Sequence, residues 1–97
     1  MRISIIRTYS AGVFYGDVEK VDHEVDGASA TIKNCRRLWC WSGAASLSQL
    51  AVEGTSRPGD CKFTVTVDQM QVFGVLEIIP CTEVAEKSID SVKAWRV

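Results

Sequence analysis

Two adjacent arginines and two tryptophans stand within one six-residue stretch, Arg36-Arg37-Leu38-Trp39-Cys40-Trp41. Read as a strand, successive side chains point to opposite faces. Arg37, Trp39 and Trp41 then share one side, and Arg36, Leu38 and Cys40 the other. A guanidinium beside large aromatic rings suits a flat, anionic partner, because rings stack on a base while the charge meets a phosphate. The same face suits a subunit or partner interface, where Trp and Arg are the enriched anchor types, and it suits an ordinary core strand. Arg7 and Tyr9, on the first expected strand, join this surface under the ligand and interface readings. The segment that follows, Ser42-Gly43-Ala44-Ala45-Ser46, is expected to open a helix with Ser42 as its N-cap. Free amides of a first turn, with a hydroxyl and an arginine close by, can hold an anion. The candidate binding residues are therefore Arg7, Tyr9, Arg36, Arg37, Trp39, Trp41, Ser42 and Gly43.

Other chemistry-bearing residues do not assemble into a catalytic pattern. Cys35, Cys40, Cys61 and Cys81 lack the close pairs that structural zinc sites use, and they read as buried free thiols. Cys81 gains some thiolate stabilisation from a helix start, without a base to activate it. His23 is the single histidine, set between Asp22 and Glu24 in an expected exposed hairpin. No nucleophile is placed beside it. There is no glycine-rich phosphate loop. The expectation is a binding protein and no enzyme, with no metal and no cofactor.

These residues need a scaffold. Ile3 to Tyr9 and Val13 to Val21 read as strands, with Gly16 a bulge or point of close backbone approach. Asp26-Gly27 signals a tight turn into a third strand, Ala28 to Lys33. Asn34-Cys35 is a kink before the Arg-Trp strand. Ala44, Leu47, Leu50 and Ala51 fall at helical spacing, and Gly54 stands where a helix ends. Lys62 to Val67 alternates as a strand. Asp68-Gln69 reads as a connection to a long strand, Met70 to Ile79, which Pro80 ends. Thr82 caps a second helix with Glu83 and Glu86 in its first turn and Val84, Lys87, Ile89 and Val92 on its inward side. Trp95 docks the end of the chain. The expected fold is α+β: one small domain over residues 1–97, a mainly antiparallel sheet of five to six strands, and two short helices.

Composition limits the partners. The chain has 97 residues, 46% of them hydrophobic. So small a domain buries only roughly two-thirds of its unfolded surface, so some apolar surface is expected in a homo-oligomer interface. Eleven basic residues against twelve acidic ones leave a net charge of -1, which speaks against a nucleic-acid binder held by phosphate contacts. The apolar run after Met1-Arg2 is too short for a signal peptide, and no stretch nears the ~18 apolar residues of a membrane span. A soluble, cytosolic protein with no membrane partner is expected.

Three blocks carry a family resemblance. They are Ile6-Arg7-Thr8-Tyr9-Ser10-Ala11-Gly12-Val13; Arg36-Arg37-Leu38-Trp39 with Trp41, running through Gly43-Ala44-Ala45-Ser46-Leu47-Ser48-Gln49-Leu50-Ala51 to Glu53-Gly54; and Glu77-Ile78-Ile79-Pro80-Cys81-Thr82-Glu83. Together they resemble a small family of phage- and prophage-encoded proteins with no assigned role. The resemblance implies a phage origin and action in the host bacterial cytoplasm. By analogy with small non-enzymatic phage proteins, the leading expectation is an anti-defence inhibitor. Its partner would be a host defence protein that it occludes or a small anionic, nucleotide-type signal that it sequesters. A virion structural or assembly component is the alternative, followed by a small nucleic-acid-binding regulator.

Overall fold

The computed structural model describes residues 3–25 and 27–97. Apolar alternation and β-branched residues build the first two strands, β1 (Ile3–Thr8) and β2 (Val13–Glu24), which pair antiparallel. The turn between them is closed by Thr8, whose N–H donates to the Gly12 carbonyl at 3.1 Å and whose hydroxyl donates to it at 2.7 Å. The third strand, β3 (Gly27–Cys40), pairs with β2 along most of its length. The expected Asp26-Gly27 turn involves Asp26, which lies outside the described residues.

The register of β2 and β3 skips between Tyr15 and Asp17, at Gly16. A Cβ on Gly16 would come within 2.6 Å of Ile32 Cγ2 and 2.9 Å of the Lys33 carbonyl. Only glycine permits that approach, which is the expected bulge. Opposite it, Asn34 takes the left-handed conformation, φ 50°, one that Asn tolerates better than most residues. The expected kink is therefore a bend inside one continuous strand, not a break between two.

After β3 come α1 (Leu47–Glu53), a 3₁₀ turn at Pro58–Asp60, the short β4 (Lys62–Phe63), β5 (Val67–Phe73), β6 (Val75–Pro80) and α2 (Glu83–Asp90). Asp68 and Gln69 do not form a connection: they lie within β5, where Gln69 pairs with Lys33. The connection falls earlier, after Phe63, and the long apolar run is split at Gly74. β5 pairs with β3, whereas β6 pairs with β1. One bent strand thus joins the two sides of the β3–β2–β1 order and curls the sheet around its inner face. The α+β expectation holds, with a six-stranded sheet and two helices among the described residues.

Strand alternation sends apolar side chains to both faces. Ile6, Phe14, Val18, Ala30, Ile32, Cys35 and Val72 fill the inside of the curl. Ile5, Tyr15 and Leu38 face outward, where Leu50 and Ala51 of α1 and Ala85 and Ile89 of α2 cover them. Each of the larger side chains contributes about 1.5–3 kcal/mol by leaving water. Both helices have defined ends. Thr82 caps α2 by accepting from the Ala85 N–H at 3.1 Å, as expected, and its own hydroxyl donates to the Val52 carbonyl at 2.6 Å. Gly54 ends α1 at φ 78°, and a Cβ there would collide with the side chain of Ser88 on α2. The two helices therefore touch through small residues, and this sets the phase of α2. Ala85 and Ile89 turn inward, while Val84 is 66% exposed and Lys87 faces solvent, against the expectation for both.

Candidate binding site

The adjacent arginines separate at once. Arg36 is 6% exposed, on the outward face of the sheet beneath α2. Its Nε donates to the Thr64 carbonyl at 3.1 Å, Nη1 to Ile89 at 3.1 Å and Nη2 to Phe63 at 3.2 Å. The guanidinium also lies 5.4 Å from the Phe63 ring centroid. Burial lowers its pKa from the usual arginine value, and the charge of Asp90 opposes that shift. Arg36 ties β3 to β4 and to the end of α2, so its expected place on a ligand surface is overturned. Nearby, the Tyr15 hydroxyl donates to Asp90 Oδ1 at 2.9 Å. Burial first, and that carboxylate second, hold the phenol protonated well above its ordinary range.

Arg37 points the other way and is exposed. It pairs across the sheet with Phe14, and its guanidinium sits 4.9 Å from the Phe14 ring centroid. The long side chain shields the inner core at its margin and leaves the charge in water.

Two residues on, Trp39 is 63% exposed and stacks on Trp95, with ring centroids 6.3 Å apart and planes 13° from parallel. Trp95 is placed by backbone. Ala94 bridges Phe63 in parallel, and the Trp95 N–H donates to the Phe63 carbonyl at 2.7 Å. Lys62, on β4, carries its Nζ 5.5 Å from the Trp95 ring centroid. Trp95 docks as expected, but as one member of an exposed aromatic pair and not as a core plug.

Trp95 also walls a cleft of about 450 Å³, together with Pro58, Gly59, Cys61, Ser91 and Lys93. Among the described residues, the ion pairs do not include Lys62, Lys93 or Arg96. The nearest acid on the Pro58–Asp60 turn, Asp60, is engaged by Arg57 at 2.6 Å. A wall with Lys93 in its lining and the Lys62 ammonium against the Trp95 ring can hold a flat ring and neutralise an attached anion.

The remaining expected site residues lie elsewhere or act structurally. Trp41 follows the end of β3, so the alternation stops and its ring packs, half-buried, on the helix-side core instead of beside Trp39. Ser42 is not a helix cap. The α1 cap is Ser46, whose hydroxyl accepts from the Gln49 N–H at 3.1 Å, and the helix begins only at Leu47. Ser42 instead donates its N–H to Cys61 Sγ at 3.4 Å and accepts from the Thr55 hydroxyl. The Gly43 carbonyl accepts from the Ser56 N–H at 3.3 Å. These contacts bind the two loops together, and the expected amide cradle at Ser42 and Gly43 is overturned. Arg7 is held by Glu77 at 2.8 Å on the β1–β6 side of the sheet. Tyr9 is 83% exposed at the β1–β2 turn, with its N–H on the Gly74 carbonyl at 2.8 Å. Neither is brought to Trp39.

Cys35, Cys61 and Cys81 are buried, as expected, but Cys40 is exposed at the strand end. Burial pushes the Cys35 thiol up to about 11. No cluster of three or more His, Cys, Asp or Glu suited to a metal occurs among the described residues. No helix among them is long and apolar enough to cross a membrane.

Sequence reasoning missed Lys62, Lys93 and the pairing of Trp95 with Trp39. The available signal was Lys93-Ala94-Trp95-Arg96, a tryptophan among cations just beyond a helical pattern. The strand it joins, expected over Lys62 to Val67, is only Lys62–Phe63, too short to show that its neighbour is the end of the chain.

No curated protein and no solved structure matches the chain. The sequence pattern of a domain of unknown function, DUF6948, matches residues 1–89. That span takes in the whole curled sheet, α1 and nearly all of α2, and the chain belongs to this DUF6948 family.

Proposed function

We propose that this chain is a non-catalytic, phage-derived binding protein that sequesters a compact, flat, anionic ligand of the nucleotide type, and so withdraws a signal on which a bacterial defence depends. The observation that carries the reading is the position of Trp95. Its ring stacks on Trp39, lies under the Lys62 ammonium and walls a cleft that also presents Lys93. Stacking a base on such a ring contributes about 1–3 kcal/mol, and Lys62 and Lys93 supply charge for a phosphate. The site differs from the one the sequence suggests, but its chemistry is the same: aromatic area beside cations.

Isothermal titration with a panel of cyclic and ADP-ribose-type nucleotides tests this form. A saturable heat that disappears in Trp95→Ala supports it. No heat with any member of the panel overturns it.

Occlusion of a host defence protein is the second reading, favoured by the exposure of Trp39 at 63% and Trp95 at 44%. Exposed tryptophans flanked by cations are typical anchors of protein interfaces. It predicts a complex with a defence protein that Trp39→Ala weakens, in a protein that gives no nucleotide heat.

A further inference from the structure

At the opposite end of β3 lies a second, smaller pocket of about 190 Å³, walled by Glu24, Gly27, Ala28, Ser29, Phe73 and Gly74. Ser29 is 2% exposed, and its hydroxyl has no hydrogen-bond partner. A buried hydroxyl without a partner is costly, and natural proteins rarely leave one so. Its two cross-strand neighbours cannot serve it. Phe73 on β5 is apolar, and Asp22 on β2 is turned to the Lys20 ammonium at 3.4 Å. Glu24 takes no part in the ion pairs among the described residues. Phe73 is 60% exposed, which leaves its ring open to a cation.

We propose that this pocket is a binding site for a primary alkylammonium group, the chemistry of a lysine side chain. The ammonium has three N–H donors. One meets the Ser29 hydroxyl oxygen, and the charge lies between the Glu24 carboxylate and the Phe73 ring. Gly27 and Gly74 contribute no side chains, so a narrow alkyl stem has room to enter. A guanidinium is a poorer match, because a single carboxylate and a single hydroxyl on separate strands do not form the planar fork it pairs with. The site is independent of the Trp95 cleft and stands whether or not that cleft takes a nucleotide.

The test follows backbone amide shifts of Ser29, Phe73 and Gly74 while n-butylammonium is titrated into the whole protein at constant ionic strength. The neutral isostere n-butanol is the control. Saturating shifts in the millimolar range are expected for the ammonium. They should weaken roughly threefold or more in Glu24→Gln and in Ser29→Ala. Ser29→Ala should fold as stably as the parent, since it removes an unpaired hydroxyl. Equal shifts with n-butanol, an unchanged response in Glu24→Gln, or a clear loss of stability in Ser29→Ala would each overturn the proposal. The last result would mean that the hydroxyl already holds a structural water. Once ammonium binding is seen, acetyl-Gly-Lys-Gly-amide against spermidine separates the sources. Tighter binding of the peptide assigns a partner protein's lysine, and tighter binding of spermidine a free polyamine.

Discussion

The guanidinium of Arg36 donates to the carbonyl oxygen of Ile89 at 3.1 Å, so a strand residue satisfies the last turn of a helix 53 positions away in sequence. Cations are favoured at that end of a helix, and the Ile89 carbonyl shares itself between Arg36 and the Val92 N–H at 3.2 Å. The same side chain closes the carbonyls of Phe63 and Thr64. Three segments therefore depend on one buried charge.

Arg36→Met should accordingly lower stability by about 3 kcal/mol, because three carbonyls lose a charged donor, even though those of Phe63 and Ile89 keep the Trp95 and Val92 N–H groups. Arg36→Lys should not restore it, since an ammonium cannot span the three carbonyls as a planar fork does. Arg37→Met removes an exposed cation from the Phe14 ring and should cost at most about 1 kcal/mol. Urea unfolding of the three variants separates these outcomes.

The start of α1 can be placed by two serine substitutions. Ser46→Ala deletes the side-chain acceptor for the Gln49 N–H and should cost about 1 kcal/mol. Ser42→Ala leaves the backbone contacts of Ser42 intact and should stay within about 0.5 kcal/mol of the parent. Equal losses would return the helix start to Ser42.

Gly54→Ala should destabilise by about 2 kcal/mol or more, from the positive φ and from collision with Ser88. Ser88→Gly on the same background relieves the collision and leaves the backbone strain. A double-mutant cycle should therefore show partial rescue, with a coupling of about 1 kcal/mol.

Alkaline pH should unfold the protein by a defined route. The Cys35 thiol is raised from 9.0 to about 11 in the fold. Between those values the unfolded chain loses this proton first, so stability falls as pH rises, by at most about 1.4 kcal/mol per unit. Below pH 9 the contribution of Cys35 is constant. Tyr15, also raised, adds a fall of the same sign above its ordinary value of 10.0. Denaturant midpoints measured against pH should flatten first in Cys35→Ala and, at higher pH, in Tyr15→Phe.

The Trp39–Trp95 stack should give a near-ultraviolet circular dichroism signal that either Trp39→Phe or Trp95→Phe diminishes. Trp95→Ala should abolish ligand heat at a stability cost below about 1.5 kcal/mol, because the ring is half-exposed. Lys93→Ala should weaken an anionic ligand with no loss of stability, which distinguishes a charge contact from a packing defect.

Local rules carried much of the fold. Gly16, Gly54 and Thr82 do what their chemistry demands, since a bulge, a helix end and a cap are each decided by a few neighbouring atoms. Ser42 and Val84 defeated the same reasoning. Both depend on tertiary context: the loop at 55–57 occupies Ser42 and Gly43, and the Gly54–Ser88 contact rotates α2 so that Ala85 faces inward. The binding surface was half legible. Trp39 and Arg37 could be assigned to one exposed face by alternation, but Arg36 reads in sequence as a surface charge and becomes interior only because three carbonyls converge on it. Trp95 and Lys62 come together through β4, whose alternation was legible but whose single bridge to Ala94 leaves no pattern in sequence.

Joining β3 to β1 through Gly74 also orders events in time. Arg7 and Glu77 are 70 residues apart in sequence, so β1 has β2 as its sole neighbour until β6 is made. Long closures are entropically expensive and come late. The β1–β2–β3 meander, rich in short-range pairings, is the natural first structure, with Ile6, Phe14 and Ile32 covered on one side only. For that interval the growing chain carries an open, apolar strand edge, the condition under which nascent sheets aggregate. The bent strand is thus a latch, and how fast it shuts governs how much of the newly made protein escapes that fate.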